Sequence, residues 1–128
     1  MFNQIRILKS MQTAFLLLAA ASLACGCAAI KPKSQKTAVL GHLSAHEDCA
    51  ELGPGQYMSY SWKSSGPLDF NIHHHEGGQI IEAVSKTGIS SGSGNFYPKE
   101  KQYYCLMWTN KGMDEVDLFY NYKVEKAP

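Results

Sequence analysis

An excess of charge of either sign is missing from this 128-residue sequence, in which 12 lysines and arginines are balanced by 11 aspartates and glutamates. Such a chain lacks the basic surface typical of nucleic-acid-binding proteins, so no nucleic-acid partner is expected. Also lacking are a glycine-rich phosphate loop between a strand and a helix and a nucleophile-elbow pattern. The sequence therefore favours a non-catalytic protein over an enzyme.

A long hydrophobic run is missing as well. The apolar stretch around 11–23 covers about 14 residues, whereas a membrane-spanning helix needs about 20. It follows the basic residues Arg6 and Lys9 and ends in small residues, which is the order found in a secretory signal. A buried amphipathic helix is the alternative, but no polar face interrupts the run. Residues 1–24 are therefore predicted to be a signal peptide, and the rest of the chain to be exported.

Two cysteines lie directly after this segment. The stretch Ser22-Leu23-Ala24-Cys25-Gly26-Cys27 resembles a bacterial lipoprotein signal, in which a small residue precedes the cysteine that is lipidated after cleavage. The resemblance implies that Cys25, or else Cys27, carries a diacylglycerol and an amide-linked chain such as palmitate, enough for stable anchoring. In that family, the lack of a following aspartate favours the outer membrane. We therefore expect a lipid-anchored protein of the bacterial cell envelope, facing the periplasm; an ordinary cleaved signal with a spare cysteine is the alternative.

The exported part divides into a tether and a folded domain. Residues 25–37 contain lysine, proline and serine without an apolar period, which is typical of a flexible tether. Residues 38–126 show apolar side chains at every second position, as in Met58, Tyr60 and Trp62, and no helical stripe. The strands expected from this alternation lie near 37–43, 56–63, 68–76, 79–85, 95–97, 102–110 and 115–125.

Glycine-, serine- and proline-containing segments separate these expected strands. They predict turns or loops at Ser64–Pro67, at Gly77-Gly78 and over the stretch 87–94. About seven short strands separated in this way favour an all-β fold, an antiparallel β-sandwich, with a barrel as the alternative. Tyr60, Trp62, Tyr104 and Trp108 alternate as core residues do, so we interpret them as packing residues rather than as a ligand groove.

Cys49 and Cys105 stand alone and far apart in the sequence. An exported chain meets an oxidising compartment, and a disulfide closing such a long loop would stabilise the fold by about 4 kcal/mol. A catalytic thiol or a metal ligand is the alternative for either residue. Tyr104 and Leu106 supply neither a base nor a cation that would activate Cys105. The sequence therefore favours a disulfide.

The order of these features resembles the GOLD (Golgi dynamics) domain, the lumenal β-sandwich of Golgi cargo receptors. Cys49 precedes a Gly53-Pro54-Gly55 turn, the stretch Leu68-Asp69-Phe70-Asn71-Ile72 forms a strand, and 103–110 carries aromatics, Cys105 and a terminal asparagine. The resemblance implies a Cys49–Cys105 bridge and a domain that binds other molecules rather than converting them. The receptors' coiled coil, membrane span and tail have no counterpart here, so cargo trafficking does not carry over.

Three consecutive histidines form the sharpest local chemistry of the sequence. In a strand, His73 and His75 point to one face about 7 Å apart, while His74 points to the other face with Ile72. Two imidazoles on one face suit Cu(II), Zn(II) or Ni(II). The alternative is that His73 and His75 are solvent-facing polar residues and that His74 is hydrogen-bonded at the edge of the core.

A metal site needs further ligands. Glu76 at the following turn, or His42 and His46 from the first strand region, would complete a set of three or four. The first function we expect is a non-catalytic, lipid-anchored interaction module that binds a protein or envelope component. The alternative function is a periplasmic lipoprotein that binds copper or zinc through the histidine cluster.

Overall fold

The computed structural model describes residues 34–128, and all of the regular structure in this range is β. The strands are β1 (Lys36–Leu40), β2 (Ala45–Leu52), β3 (Gln56–Glu76), β4 (Gln79–Phe96), β5 (Gln102–Thr109) and β6 (Val116–Lys126). Every pairing between them is antiparallel. The predicted all-β antiparallel class is confirmed. Within these residues no helix is long and apolar enough to cross a membrane.

The predicted signal peptide and most of the predicted tether lie outside the described residues. β1 begins at Lys36, so the end of the stretch 25–37 belongs to the sheet rather than to a tether. β1 pairs with β6, with Lys36 opposite Tyr120 at one end and Leu40 opposite Val116 at the other. Backbone pairing with a strong neighbouring strand therefore overrides the polar composition of this segment.

The long strand β3 organises the sheet. Its first half pairs with β6, from Gln56 to Ser64, and its second half pairs with β5, from Asp69 to His73. β4 runs along its other side, so the sheet order is β1-β6-β3-β5-β2 with β4 attached to β3. The predicted turn at Ser64–Pro67 is wrong, because these residues form a bulge inside β3 at a shift of register with β4.

The bulge allows the two halves of the curled sheet to pack on each other. Trp108 of β5 contacts Trp62 in the first half of β3, with ring centroids 6.2 Å apart, and Tyr120 of β6, at 4.7 Å. The predicted core aromatics Trp62, Tyr104 and Trp108 are buried, and Tyr60 is half-buried against them. The other buried members of the core are Leu40, Leu52, Met58, Leu68, Phe70, Ile72, Leu106, Val116, Leu118 and Tyr120.

The glycine- and serine-rich stretch 87–94 is a strand rather than the predicted loop. It lies within β4, where Gly92 pairs with Trp62 and Gly94 pairs with Tyr60. A methyl group on Gly92 would lie 2.7 Å from the Trp62 indole nitrogen, which is closer than packing allows. These glycines leave room for aromatic rings on the neighbouring strand, a use of glycine that composition does not distinguish from a loop. The predicted Gly77-Gly78 turn is confirmed, and both residues have positive φ.

β2 is absent from the expected strands. Its sequence, Ala45–Leu52, contains three carboxylates, and its inward positions include Asp48 rather than an apolar residue. That carboxylate accepts hydrogen bonds from Lys36 Nζ at 2.6 Å, Tyr122 OH at 2.7 Å and Tyr120 OH at 2.8 Å. The contacts join β2 to β1 and β6, the two strands at the opposite end of the sheet path. Asp48 therefore holds the two edges of the curled sheet together.

We expect Asp48→Asn to lower the free energy of unfolding by about 1.5–3 kcal/mol at pH 7, the usual worth of hydrogen bonds to a charged group. Burial raises the pKa of Asp48, but the hydrogen bonds from Lys36, Tyr122 and Tyr120 outweigh it, so the pKa lies below its ordinary value. A carboxylate with a depressed pKa stabilises the fold above its unfolded pKa, about 3.9, and loses this contribution as pH falls.

Urea unfolding at pH 7 and pH 3 measures this effect. The difference between wild type and Asp48→Asn should be full at pH 7 and should shrink at pH 3. Asp117→Asn, which changes an exposed carboxylate on β6, is the matched control and should be close to neutral. An equal difference at both pH values would contradict the assignment.

Candidate metal centre

Three neighbouring strands bring a group of polar side chains to the sheet face opposite the core. The pairing of β3 with β5 places His73 opposite Cys105, and the pairing of β5 with β2 places Cys105 opposite Cys49. Side chains two residues apart on a strand share a face, so His75 joins His73 and Glu47 joins Cys49. The core side chains Ile72 and Leu106 occupy the other face. The strand register that buries these two residues therefore also places His73 next to Cys105.

The ligand atoms of Glu47, His73 and His75 converge. His73 Nε2 lies 3.2 Å from His75 Nε2 and 3.2 Å from Glu47 Oε1, and His75 Nε2 lies 3.7 Å from the same carboxylate oxygen. In a tetrahedral zinc site with bonds of about 2.0–2.1 Å, ligand atoms lie about 3.3–3.4 Å apart. The triangle formed by these three atoms therefore has the size that one bound metal ion requires.

A hydrogen-bond chain fixes the ring of His73. The Glu82 carboxylate accepts a hydrogen bond from Asn71 Nδ2 at 3.2 Å, and Asn71 Oδ1 lies 2.8 Å from His73 Nδ1. Because an ionised carboxylate only accepts, the Asn71 amide must turn its oxygen to the ring, and His73 Nδ1 must carry the proton. In the neutral imidazole, Nε2 then has its lone pair directed at Glu47 and His75. Such an outer partner is what orients a metal-binding histidine.

Burial keeps His73 neutral. The residue is 0 % exposed. Burial lowers the pKa of His73; the Glu47 carboxylate opposes this shift, and His75 adds to it. The side chains of His75 and Glu47 are 56 % and 39 % exposed, so solvent and ions reach the group from one side. The site therefore has one buried, oriented ligand, His73, with a free lone pair. The other two ligands, His75 and Glu47, are open to solvent and to metal ions.

The predicted disulfide between Cys49 and Cys105 is confirmed. It joins residues that are directly opposite on β2 and β5, rather than distant loops. Cys105 Sγ also belongs to the group, because the four ligand atoms of Glu47, His73, His75 and Cys105 lie within 4.8 Å of one another. In the disulfide this sulfur is bonded to Cys49 and is not a thiolate. The oxidised site therefore offers three ligands.

The structure brings together only part of the predicted ligand set. His73 and His75 share a face, as predicted, but the solvent-facing interpretation is wrong for His73. Glu76 lies with His74 instead, with 3.7 Å between His74 Nε2 and a Glu76 carboxylate oxygen. Alternation along β3 carries these two residues to the other face, so Glu76 is not part of the group.

His42 and His46 also lie outside the group and have other partners. His42 Nδ1 is 2.7 Å from the carbonyl oxygen of Gly112 and must donate to it. His46 Nε2 is 2.8 Å from the Tyr120 hydroxyl, whose own proton goes to Asp48. His46 Nε2 must therefore donate as well, so this nitrogen has no lone pair for a metal.

Glu47 is the ligand that the sequence pattern missed. The signal that would have found it is the disulfide itself, because a Cys49–Cys105 cross-strand pair implies a strand around Cys49. Alternation then places Glu47 on the same face as Cys49. What the sequence does not provide is the register between β3 and β5, which brings His73 next to Cys105.

Known proteins resemble this chain in its fold alone. No protein-family model matches the chain, and no curated protein matches it. A solved structure of Aeromonas hydrophila PliG, a periplasmic lysozyme inhibitor of g-type lysozyme, has 15% identity and a TM-score of 0.51, covering 72% of this chain and 85% of its own. A CBM4 structure has 7% identity and a TM-score of 0.50, covering 75% and 86%.

These neighbours are β-sandwich proteins and support the predicted architecture. At such low identities the likeness concerns the fold alone. The GOLD resemblance beyond the β-sandwich has no family match to support it and stays a prediction.

The hydrogen-bond chain makes a direct prediction. In metal-free protein at neutral pH, long-range proton–nitrogen NMR should show His73 neutral, with the proton on Nδ1 and an unprotonated Nε2. Asn71→Ala removes the acceptor and should shift the proton toward Nε2, where Glu47 can accept it. An Nε2-protonated His73 in the wild type would contradict the assigned chain.

Proposed function

We propose that this protein is an exported, non-catalytic binding domain that holds a divalent transition-metal ion through Glu47, His73 and His75. The observation that carries the proposal is the convergence of three ligand atoms at 3.2–3.7 Å. Without a metal, His75 Nε2 donates a hydrogen bond to the unprotonated His73 Nε2, 3.2 Å away. A metal ion would replace that proton and bind all three atoms at once.

The chemistry of the ligands narrows the choice of ion. Two imidazole nitrogens and one carboxylate suit Zn(II) and Cu(II) better than Mg(II) or Ca(II), which prefer all-oxygen sites. The carboxylate of Glu47 supplies one negative charge to a site whose buried histidine stays neutral. Zinc and copper are therefore the ions we propose.

Export and a binding role have separate support. A disulfide is typical of proteins that fold in an oxidising compartment. The structural neighbours are a periplasmic lysozyme inhibitor and a carbohydrate-binding module, and neither is an enzyme. Both observations are compatible with an envelope protein that binds rather than converts its ligand.

The metal site is tested by calorimetric titration of the untagged protein with Zn(II) and Cu(II) at neutral pH. Cys25→Ser and Cys27→Ser are introduced so that no additional thiols bind metal. We expect a single site of micromolar affinity or tighter. Removing one of three ligands, by Glu47→Gln or His75→Ala, should weaken binding at least about tenfold, equivalent to about 1.4 kcal/mol.

Matched controls exist on the same elements. Glu51→Gln changes a carboxylate that lies on β2 and pairs with Lys101, and His42→Ala removes a histidine outside the group. Both should bind metal like the wild type. Absence of binding, or equal losses in Glu47→Gln and Glu51→Gln, would refute the assigned site.

An interaction module for a protein or envelope component is the second candidate. The observation that favours it is a groove of about 470 Å³ whose walls include the aromatic side chains of Phe96, Tyr97 and Tyr104. Aromatic residues are enriched where proteins bind partners. The groove also contains Glu76 but none of the three proposed metal ligands, so Glu47→Gln and His75→Ala would leave it unchanged. The two functions are therefore separable by mutation.

A lipid anchor at Cys25, or else at Cys27, completes the proposal and would place the domain at the outer membrane. Intact mass spectrometry of the protein extracted from bacterial membranes should show a chain that begins at the modified cysteine and carries three acyl chains. Replacing both cysteines by serine should abolish the added acyl mass. An unmodified, freely soluble wild-type chain would contradict anchoring.

A further inference from the structure

We propose that Cys105 is a latent fourth ligand of this metal site and that reduction of the Cys49–Cys105 disulfide unmasks it. The inference rests on the proposed function, because it concerns the regulation and the ion preference of the same site. It assigns the disulfide a role beyond bracing the fold: the covalent bond keeps one ligand out of the site until a reductant breaks it.

The position of Cys105 is the first support. Its sulfur lies within 4.8 Å of the ligand atoms of Glu47, His73 and His75. The residue is 2 % exposed, and it stands opposite His73 on the neighbouring strand. Because β5 is hydrogen-bonded to β3 on one side and to β2 on the other, its backbone position does not depend on the disulfide alone.

The unequal exposure of the two cysteines determines which sulfur a reducing thiolate attacks and which sulfur leaves. Cys49 is exposed, whereas Cys105 is buried. An incoming thiolate therefore reaches Cys49 Sγ, forms a mixed disulfide with it, and expels Cys105 as the thiolate leaving group. The released sulfur faces the metal ligands from the first step of the reaction.

The overall step requires a dithiol reductant. Its first thiolate attacks Cys49, and its second thiolate resolves the mixed disulfide, so the reductant leaves as a disulfide and Cys49 regains a thiol. Two electrons and two protons pass from the dithiol to the cysteine pair. When a divalent ion then binds, Cys105 gives up its proton to solvent and coordinates as the thiolate.

Adding a thiolate changes the site in two ways. Three ligands leave a tetrahedral ion with one open position, whereas four ligands close it. A soft sulfur ligand also shifts preference toward ions that favour thiolate, such as Zn(II) and Cu(I). Reduction should therefore tighten zinc binding, and oxidation should weaken it.

The test compares Cys49→Ser with Cys105→Ser in the full chain, purified in detergent, with Cys25→Ser and Cys27→Ser in both. Each variant lacks the disulfide and keeps one thiol. The Cys105 sulfur kept in Cys49→Ser lies within 4.8 Å of all three ligand atoms. The Cys49 sulfur kept in Cys105→Ser lies 3.5 Å from Glu47 Oε1 but is not part of that group. We expect Cys49→Ser to bind Zn(II) at least tenfold tighter than both Cys105→Ser and the oxidised parent. With Co(II), only Cys49→Ser should show a thiolate-to-metal charge-transfer band.

Equal zinc affinities of the two single-cysteine variants, or a charge-transfer band in both, would overturn the inference. If the oxidised parent binds zinc and loses it in Glu47→Gln while the cysteine variants bind alike, the proposed function stands and the inference alone fails. If neither the oxidised parent nor Cys49→Ser binds zinc, both fail.

Circular dichroism checks that the variants fold. Should they not, the same question is answered with the reduced parent, by alkylation and mass spectrometry. Zinc should protect Cys105 from alkylation and leave Cys49 reactive. Equal protection of both cysteines, or protection of neither, would overturn the inference.

Discussion

The register of three antiparallel strands is the constraint on which the rest of this structure depends. His73, Cys105 and Cys49 form one row across β3, β5 and β2. Because side chains alternate between faces, a shift of one residue in any of these strands would exchange the core face for the outer face. The burial of Ile72 and Leu106 therefore fixes the same register that aligns the histidine with the disulfide.

The buried histidine of the proposed metal site has more complete hydrogen bonding than three other buried nitrogens of the domain. In the range 34–128, the buried nitrogens Trp62 Nε1, Trp108 Nε1 and His74 Nδ1 have no hydrogen-bond partner. Both ring nitrogens of the fully buried His73 have one. Leaving a buried polar group unpaired costs about 1–3 kcal/mol, and the fold avoids that cost at His73. This difference favours a site in which one imidazole is held in a defined tautomer.

The sequence predicted the class of the fold and two of the three proposed metal ligands, and the failures have physical causes. Alternation identified β5 and β6 because their apolar periods are complete, and the three histidines marked the right stretch of β3. It missed β2 because an inward carboxylate, Asp48, interrupts the period and is satisfied only by residues distant in sequence. The sequence pattern divided β3 and β4 into shorter strands, because glycine and proline occur at bulges and at sites of close packing as well as in turns. Glu47 was missed with β2, since a ligand on an unrecognised strand has no predicted position.

β2 contributes residues to two separate polar clusters, the hydrogen bonds around Asp48 and the metal-ligand group that includes Glu47. Asp48 points to β1 and β6, while Glu47 and Cys49 point to the outer face. The strand is therefore held from one side by charge-assisted hydrogen bonds that involve neither the disulfide nor the metal ligands. Opening the Cys49–Cys105 bond removes one covalent link, but the Asp48 contacts and the pairing with β5 remain to keep β2 docked. Glu47 then stays within reach of His73 in both redox states, and this persistence is what allows a released Cys105 thiolate to add to the site instead of dismantling it.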